Sequence, residues 1–369
     1  MAQQHLDPTD PTAEAVTGDA LAAYLRAQAT EFLRALRLHR ENGGNGGGAP
    51  ARTAATAGGG GAEESVDAAR LLRRSARRIS GSLHTFRALL DPDWSEEMRP
   101  ELAWLSGTLG LEHAYESRLE RLLLALHRLS GATAFPGQVA SVEAAATALS
   151  PAGGPAAPAP ERANLTVGAA KAGALLERQL TLARTRAHST ALQALGSSRF
   201  HAVADKVAVL ASEVPLTPTA PTTDLRPLAA AAEERLTDAV AGLPLVTAGH
   251  PYNAEALVHG LSPDPSPHPQ DGPWHQVRLL LRLHRYAQEA QHGGNAPVDV
   301  RVLTAGQALN RHRDASEAAA AAAQAARTPR IAPATAYALG VLHADQRHEV
   351  EAARFAFQQA WQKQTVSAP

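Results

Sequence analysis

Cysteine is absent from the sequence, which excludes disulfides, iron–sulfur clusters, thiolate zinc sites and cysteine nucleophiles. Aromatic residues make up only 4% of the chain, so leucine, alanine and valine must build most of the core. Leucine and alanine favour helices, whereas strands favour β-branched and aromatic side chains. No segment shows a convincing strand pattern. Composition and pattern together predict an all-α protein.

Long apolar runs are also lacking. No stretch is long enough to span a bilayer, and the first residues, MAQQHLDPTDPTAEAV, lack the basic start and apolar run of a signal peptide. We therefore expect a cytoplasmic protein with no membrane partner. Its 369 residues suffice for two domains or one large domain.

Glycine and proline divide the chain into segments. Residues 1–18 are predicted to be a disordered tail, and the Gly-rich segment 41–64 is predicted to be a flexible loop because it has nothing to bury. Helical periodicity predicts helices over 19–40, 65–90, 138–149, 164–195 and 198–214, two helices broken near Gly110, others from about Leu228 and after Pro273, and a helix pair or one long helix over 336–364.

In two of the predicted helices, individual residues indicate an N-terminal cap or an apolar face. The segment 93–109 has Asp93 and Ser95 as candidate caps for its first turn. The helix over 19–40 takes much of its apolar stripe from Leu21, Leu25, Phe32, Leu36 and Leu38.

Positive charge is concentrated on one short segment, although the whole chain has a net charge of −1. Residues 69–87 hold six arginines and one histidine with no acid among them. On a helix, like charges this close repel by about a few tenths of a kcal/mol per pair. Either acids on another helix or an anionic ligand must therefore neutralise the positive charge. One helix face gathers Arg70, Arg73, Arg74, Arg77 and His84, and the opposite face gathers Leu72, Ile79, Leu83, Phe86 and Leu90.

A second basic segment lies in the other half of the chain. His275, Arg278, Arg282 and Arg285 follow the spacing i, i+3, i+7, i+10, which places them within an arc of about 80° on a helix. The first three positions repeat the spacing of Arg70, Arg73 and Arg77. This shared frame is a hint of internal duplication.

The second segment, HQVRLLLRLHRYA, resembles the signature helix H-x-x-R-x-x-x-R/K-R-x-R of the CHAD family, the conserved histidine α-helical domain proteins. It keeps the basic positions and the following Tyr286, but Leu279 and Leu283 stand where the family often has basic residues. The first segment resembles the signature less closely. Arg70 takes the histidine position, and Ser80 replaces the last basic residue. Its matching basic positions are Arg73, Arg77 and Arg78.

Further elements of the resemblance occur in the family's order. RPELAWLSGTLG is similar to R-x-E-L-x-W-L-x-x-x-L-G, although His113-Ala114 replaces the Arg-Asp that follows. ALNRHRDASEA is similar to V-L-G-x-H-x-D through His312 and Asp314, and ARFAFQQAWQK is similar to the terminal helix. The resemblance covers most of residues 19–363.

The resemblance implies two pseudo-repeated helical bundles, repeat 1 over 19–215 and repeat 2 over 216–366, packed around a central basic cleft. It implies non-enzymatic binding of inorganic polyphosphate with no cofactor, and its wider partners are polyphosphate granules or a CYTH-type triphosphatase. The sixteen histidines are scattered, so no metal site is predicted. We expect the strongest contacts from Arg73 and Arg77 facing Arg278 and Arg282 across the cleft. The implied binding residues are Arg70, Arg73, Arg74, Arg77, Arg78, His84, His275, Arg278, Arg282, Arg285 and His312.

Two alternatives stay open. If acids on neighbouring helices, such as Glu101, Glu116 or Glu120, pair with the arginines, the chain is a degenerate scaffold for protein–protein interaction with weak or no polyphosphate binding. The near-zero net charge favours this alternative, because steering and counterion release favour basic proteins. Nucleic acid ranks below polyphosphate, because the sequence shows neither an aromatic stacking platform nor a helix–turn–helix pattern.

Overall fold

The computed structural model describes residues 16–44, 60–131, 160–250, 257–258, 260–261, 268–293 and 299–362. Within these ranges there is no β-strand, and Thr17–Asp224 and Leu90–Leu216 form isolated bridges, so the predicted all-α fold is confirmed. The helices, numbered here in chain order, are α1 (Gly18–Gly44), α2 (Gly60–Thr85), α3 (Pro92–Thr108), α4 (Leu111–Ser130), α5 (Pro160–Leu195), α6 (Ser198–Ser212), α7 (Arg226–Ala241), α8 (Leu245–Ala248), α9 (Gly272–His292), α10 (Val300–Ala326) and α11 (Pro333–Gln362).

Most predicted helices agree with these bounds, and the differences are local. α1 and α2 extend into both ends of the predicted loop 41–64, whose centre lies outside the described residues, as do the helix predicted over 138–149 and most of the predicted tail. The predicted caps of α3 are wrong, because Asp91 Oδ1 accepts a hydrogen bond of 2.8 Å from the backbone nitrogen of Trp94. Pro92 fills the first helical position, where its missing N–H costs nothing.

The chain divides into two compact units, each made of three segments. The first unit comprises Met1–Gly107, Leu195–Arg235 and Arg282–Pro297, and the second comprises Thr108–Ala194, Leu236–Leu281 and Val298–Pro369. The predicted repeats are consecutive instead, and the internal duplication stays a prediction. Since the division falls inside α9, residues 272–281 belong to the second unit and residues 282–292 to the first.

In the first unit, α1 packs against α2 and α6. The apolar stripes that the sequence predicts for α1 and α2 form this contact, with the exception of Leu38, which is 41% exposed. Burying each large aliphatic side chain contributes about 1.5–3 kcal/mol, so these stripes fix which side of α2 faces solvent. The fully buried side chains include Leu21, Leu25, Phe32, Leu72, Ile79, Phe200 and Val207.

In the second unit, α10 and α11 pack along their lengths. Alanines bury one side of α10, at positions 315, 318, 319, 322 and 325, and small side chains at a contact let helix axes approach closely. A second cluster gathers Trp274, Val277, Leu309 and Phe357. No helix in the described ranges is long and apolar enough to cross a membrane.

Candidate polyanion-binding surface

The basic face of α2 lies opposite its buried stripe. Leu72, Ile79 and Leu83 are at most 1% exposed, which turns the opposite side of the helix outward. On that side Arg70 and Arg74 are exposed, whereas Arg73 and Arg77 are partly buried. Asp67, one turn before Arg70, lies 3.2 Å from its Nη1. Arg70, Arg73, Arg74 and Arg77 of the first basic segment therefore form an exposed to partly buried row along one face of α2.

Within the first unit, the C-terminal half of α2 packs against residues 282–292 of α9. Gly81 is in contact with Tyr286: a β-carbon built at Gly81 would lie 2.6 Å from Cδ2 of the tyrosine ring. Arg78, three residues earlier, meets Glu289, three residues later, at 2.7 Å. A step of three along α2 thus matches a step of minus three along α9, so the two segments run antiparallel.

This register places the arginines of α9 relative to those of α2. Arg282 lies about level with Thr85, so it is offset from Arg77 by roughly 12 Å along the helix axis, at 1.5 Å per residue. The arginines of the first unit are therefore staggered along a line rather than opposed in pairs. His275 and Arg278 belong to the second unit, and the single cleft between two basic helices stays a prediction.

Glu289 is the centre of a polar cluster between α1, α2 and α9. Nε and Nη2 of Arg78 donate to its two carboxylate oxygens at 2.7 and 3.1 Å, and the hydroxyl of Tyr24 donates at 3.1 Å. Nε of Arg285 lies 3.4 Å away. The partner of Arg78 is thus an acid 211 residues along the chain, not one of the acids that the sequence suggested.

The charges of this cluster reinforce one another. Burial disfavours the ionised form of Glu289, but the hydrogen bonds and positive charge of Arg78 outweigh it and lower the pKa of the carboxyl. Burial likewise opposes the charge of Arg78, and Glu289 outweighs it and raises the pKa of the guanidinium. Burial and the adjacent Glu289 raise the pKa of the Tyr24 hydroxyl. At neutral pH the carboxylate, the guanidinium and the neutral phenol therefore coexist.

His84, near the end of α2, lies among additional cations. Its Nδ1 is 3.3 Å from Nη1 of Arg99. Partial burial lowers the pKa of the imidazole, and the positive charges of Arg99, Arg235 and Arg87 lower it further. Glu96 contacts both Arg87 and Arg99. The sequence analysis did not assign Arg99 or Arg235 to the site, because they lie on other helices and only the fold brings them to His84.

In the second unit, the N-terminal half of α9 carries His275 and Arg278. Nε of Arg278 donates to Oδ1 of Asn310 at 3.2 Å. The ring of His275 is edge-to-face with that of His312, with centroids 5.5 Å apart. Burial lowers the pKa of His275, and although Asp271 opposes the shift, Arg278 adds to it. Both side chains are partly exposed, so each can reach a ligand at the surface.

His312 has a different position from the other predicted contacts, because its side chain is only 1% exposed. Its ring stacks on Trp274 at a centroid distance of 5.6 Å, and its Nε2 lies 3.3 Å from Nε of Arg354. Burial lowers its pKa well below the usual value, and Arg354 adds to this although Asp271 opposes it. His312 is therefore a neutral core residue, and we leave it out of the direct contacts proposed below.

Asp271 is the buried anion of this core. It receives hydrogen bonds from Nη1 of Arg347 at 2.8 Å, from Nη2 of Arg354 at 2.7 Å and from the hydroxyl of Ser316. Burial disfavours its charge, but the hydrogen bonds and charge of Arg347 outweigh this and hold its pKa well below the usual range. The four residues of the network are 0–7% exposed, so the network positions α9 against α10 and α11 within the second unit. No group of His, Cys, Asp or Glu side chains among the described residues is arranged to hold a metal ion.

This network is not evident from the sequence. Asp271 stands at the end of a Pro-rich segment that resembles a loop, and Arg347 and Arg354 stand in a helix with acids nearby. The spacing of seven between the two arginines places them on one helix face, which is the only local signal of the pair.

Comparison with protein-family models matches the CHAD domain over residues 52–323. Comparison with solved structures finds PptA from Streptomyces chartreusis, which is 68% identical, with a TM-score of 0.72 over 94% of this chain and 99% of that chain. No curated protein matches the sequence.

Proposed function

Because the chain belongs to the CHAD domain family, we propose that it binds inorganic polyphosphate through its surface arginines and catalyses no reaction. The polyphosphate binding that the family resemblance implies requires a row of cations that a linear polyanion can follow. The chain's own residues supply such a row.

The observation that carries the proposal is the packing of two Arg-bearing segments in the first unit. Gly81 lets residues 282–292 of α9 lie directly on α2, and α9 adds Arg282 and Arg285 to the arginines of α2. The stagger of these residues along the helix axes suits a long, thin ligand better than a compact one. The proposed contacts in this unit are Arg70, Arg73, Arg74, Arg77, His84, Arg282 and Arg285.

His275 and Arg278 complete the proposed contacts in the second unit. Both are partly exposed, and both match the family signature. Arg78 donates two hydrogen bonds to Glu289 and its side chain is only 14% exposed, so it is left out of the proposed contacts.

Arginine suits this ligand for chemical reasons. Its planar fork donates paired hydrogen bonds to phosphate oxygens and stays charged at any relevant pH. Each charge-assisted bond contributes about 1.5–3 kcal/mol, so several contacts together are needed to offset the entropic cost of association. With a net charge of −1, long-range steering is weak, and we expect local contacts to dominate the affinity.

The experiment is a titration of the full chain with polyphosphates of several lengths and with duplex DNA, repeated at several salt concentrations. We expect binding that tightens with chain length, weakens with salt and is stronger for polyphosphate than for DNA. A chain that binds no polyphosphate at low salt would instead be the protein-interaction scaffold that its neutral net charge favours.

The same ligand defines where the protein would act. If it binds long polyphosphate in the cytoplasm, it should co-sediment with polyphosphate granules from lysed cells. A CYTH-type triphosphatase is the partner to test there. Co-sedimentation should disappear when an exopolyphosphatase removes the polymer, and persistence after that treatment would contradict the assignment.

A further inference from the structure

Glu289 occupies the guanidinium group of Arg78, which would otherwise be available to phosphate. Its oxygen atoms accept from Arg78 at 2.7 and 3.1 Å, and Arg285 lies 3.4 Å away. A carboxylate that accepts two hydrogen bonds from one guanidinium group, with a second cation beside it, has the environment in which proteins bind a phosphate group. The acid thus takes the place that a phosphoryl group of the ligand would take.

The two arginines do not depend on Glu289 alone for their positions. The guanidinium carbons of Arg78 and Arg285 lie 6.0 and 5.3 Å from the centroid of the Tyr286 ring, within the range of a cation–π contact. Tyr286 is itself buried against Gly81. The aromatic ring would therefore hold both cations in place if the carboxylate moved away.

The cluster also borders the surface rather than lying in the core. The side chains of Arg78 and Glu289 are 14% and 20% exposed, and that of Arg285 is 46% exposed. Arg285 belongs to the proposed polyphosphate contacts and so brings the ligand to the cluster. A phosphoryl group held by Arg285 would lie beside the carboxylate and compete with it for Arg78.

We infer that Glu289 is an internal competitor of the ligand, which lowers the affinity for polyphosphate by holding Arg78. This inference rests on the proposed function. Its consequence is selectivity for long chains: contacts elsewhere on α2 anchor a long polymer and raise the effective concentration of its next phosphoryl group, whereas a short phosphate has no such anchor.

The test compares Glu289→Gln with Glu31→Gln. Glu31 is an exposed acid of α1, also in the first unit, and it pairs with Arg34. Both substitutions replace a glutamate by a glutamine, so both change the net charge equally. We expect E289Q to bind long-chain polyphosphate about three- to tenfold more tightly at low salt, since one guanidinium fork is released. The affinity of inorganic tripolyphosphate should rise by a larger factor. E31Q should change either affinity less than about twofold.

A second variant keeps the inference testable if E289Q folds poorly. Tyr24→Phe removes a hydrogen bond to Glu289 and leaves every charge in place, so it should raise the affinity by a smaller factor than E289Q. In an Arg78→Ala background, E289Q should lose most of its gain. An E289Q affinity no higher than that of E31Q, with Y24F equal to wild type, would overturn the inference.

The outcomes also separate this inference from the proposed function. If wild-type protein binds polyphosphate and Arg77→Ala weakens it, but E289Q has no effect, only the role of Glu289 is wrong. If wild-type protein binds no polyphosphate at low salt and E289Q does not either, the proposed function itself has failed.

Discussion

Gly81 and Tyr286 approach each other so closely that no larger residue fits at position 81. A β-carbon there would lie 2.6 Å from Cδ2 and 3.2 Å from Cε2 of the tyrosine ring, and 3.3 Å from Cδ2 of Leu283. Because Gly81 lies on the outward side of α2, the ring covers the end of the basic face. One glycine therefore sets the distance between the two Arg-bearing segments of the first unit.

Gly81→Ala should destabilise the protein by about 1–3 kcal/mol, because overpacking outweighs the better helix propensity of alanine. Gly340→Ala is the matched control, since Gly340 is also helical and its β-carbon would meet nothing within 4 Å. That substitution should stabilise the protein by about 0.5–1 kcal/mol. Urea denaturation gives the free energy of unfolding of each variant. Equal effects of the two substitutions would show that the Gly81–Tyr286 contact is unimportant.

The apolar pattern predicts most of α1 and α2 because local periodicity and burial coincide there. Leu72, Ile79 and Phe86 are buried as the pattern requires. Leu38 is 41% exposed because it follows the buried Leu36 by two residues, which turns it about 200° around the helix and away from the apolar stripe. Asp91, Asp93 and Ser95 are all residue types that can cap a helix, and only the fold shows that Asp91 caps α3.

The sequence does not predict which charged residues pair when they are far apart along the chain. The acid that neutralises Arg78 follows it by 211 residues, and no spacing rule connects them. The same holds for Asp271, whose arginine partners follow by 76 and 83 residues. Basic residues on one helix can be predicted, but which of them an acid already holds depends on how the helices pack.

Asp271→Asn should cost about 3–5 kcal/mol of unfolding free energy, because it leaves the charges of Arg347 and Arg354 buried without their main anion. Asp314→Asn is the control, since Asp314 pairs with the adjacent Arg313 and is 45% exposed. It should cost less than about 1 kcal/mol. Chemical denaturation of both variants decides the point, and a D271N loss below about 1 kcal/mol would mean that the buried network contributes little.

Because His312 is buried, we expect the protein to lose stability as the pH falls. Its folded-state pKa is well below the ordinary 6.5, so the unfolded chain binds the proton more readily. The stability that it contributes is complete above about pH 6.5 and is lost as the pH falls. Between about pH 7.5 and about pH 5.5 the unfolding free energy falls, because the unfolded chain takes up a proton that the folded His312 does not bind. His84 and His275, whose pKa values are also lowered, act in the same direction.

His312→Gln isolates this contribution, since its amide oxygen can still accept from Arg354 and it does not titrate. The variant should be less stable than wild type at neutral pH but should lose less stability on acidification. His127→Gln, at an exposed position on α4, is the control for replacing a histidine by glutamine. Unfolding free energies measured across this pH range give the comparison, and parallel curves for wild type and H312Q would contradict the role of His312.

The most direct measurement of the central claim is the polyphosphate affinity of Arg77→Ala and Arg282→Ala beside Arg34→Ala, with the unfolding free energy of each. Arg34 is an exposed arginine of α1 paired with Glu31. Its substitution therefore removes the same positive charge at a position outside the proposed contacts. We expect R77A and R282A each to weaken binding by about tenfold or more, R34A to weaken it by less than about twofold, and all three to remain folded under the binding conditions. Equal affinities for the three variants, or a loss of stability in R77A and R282A with no polyphosphate binding by the wild type, would contradict a binding surface and identify these arginines as internal salt-bridge partners.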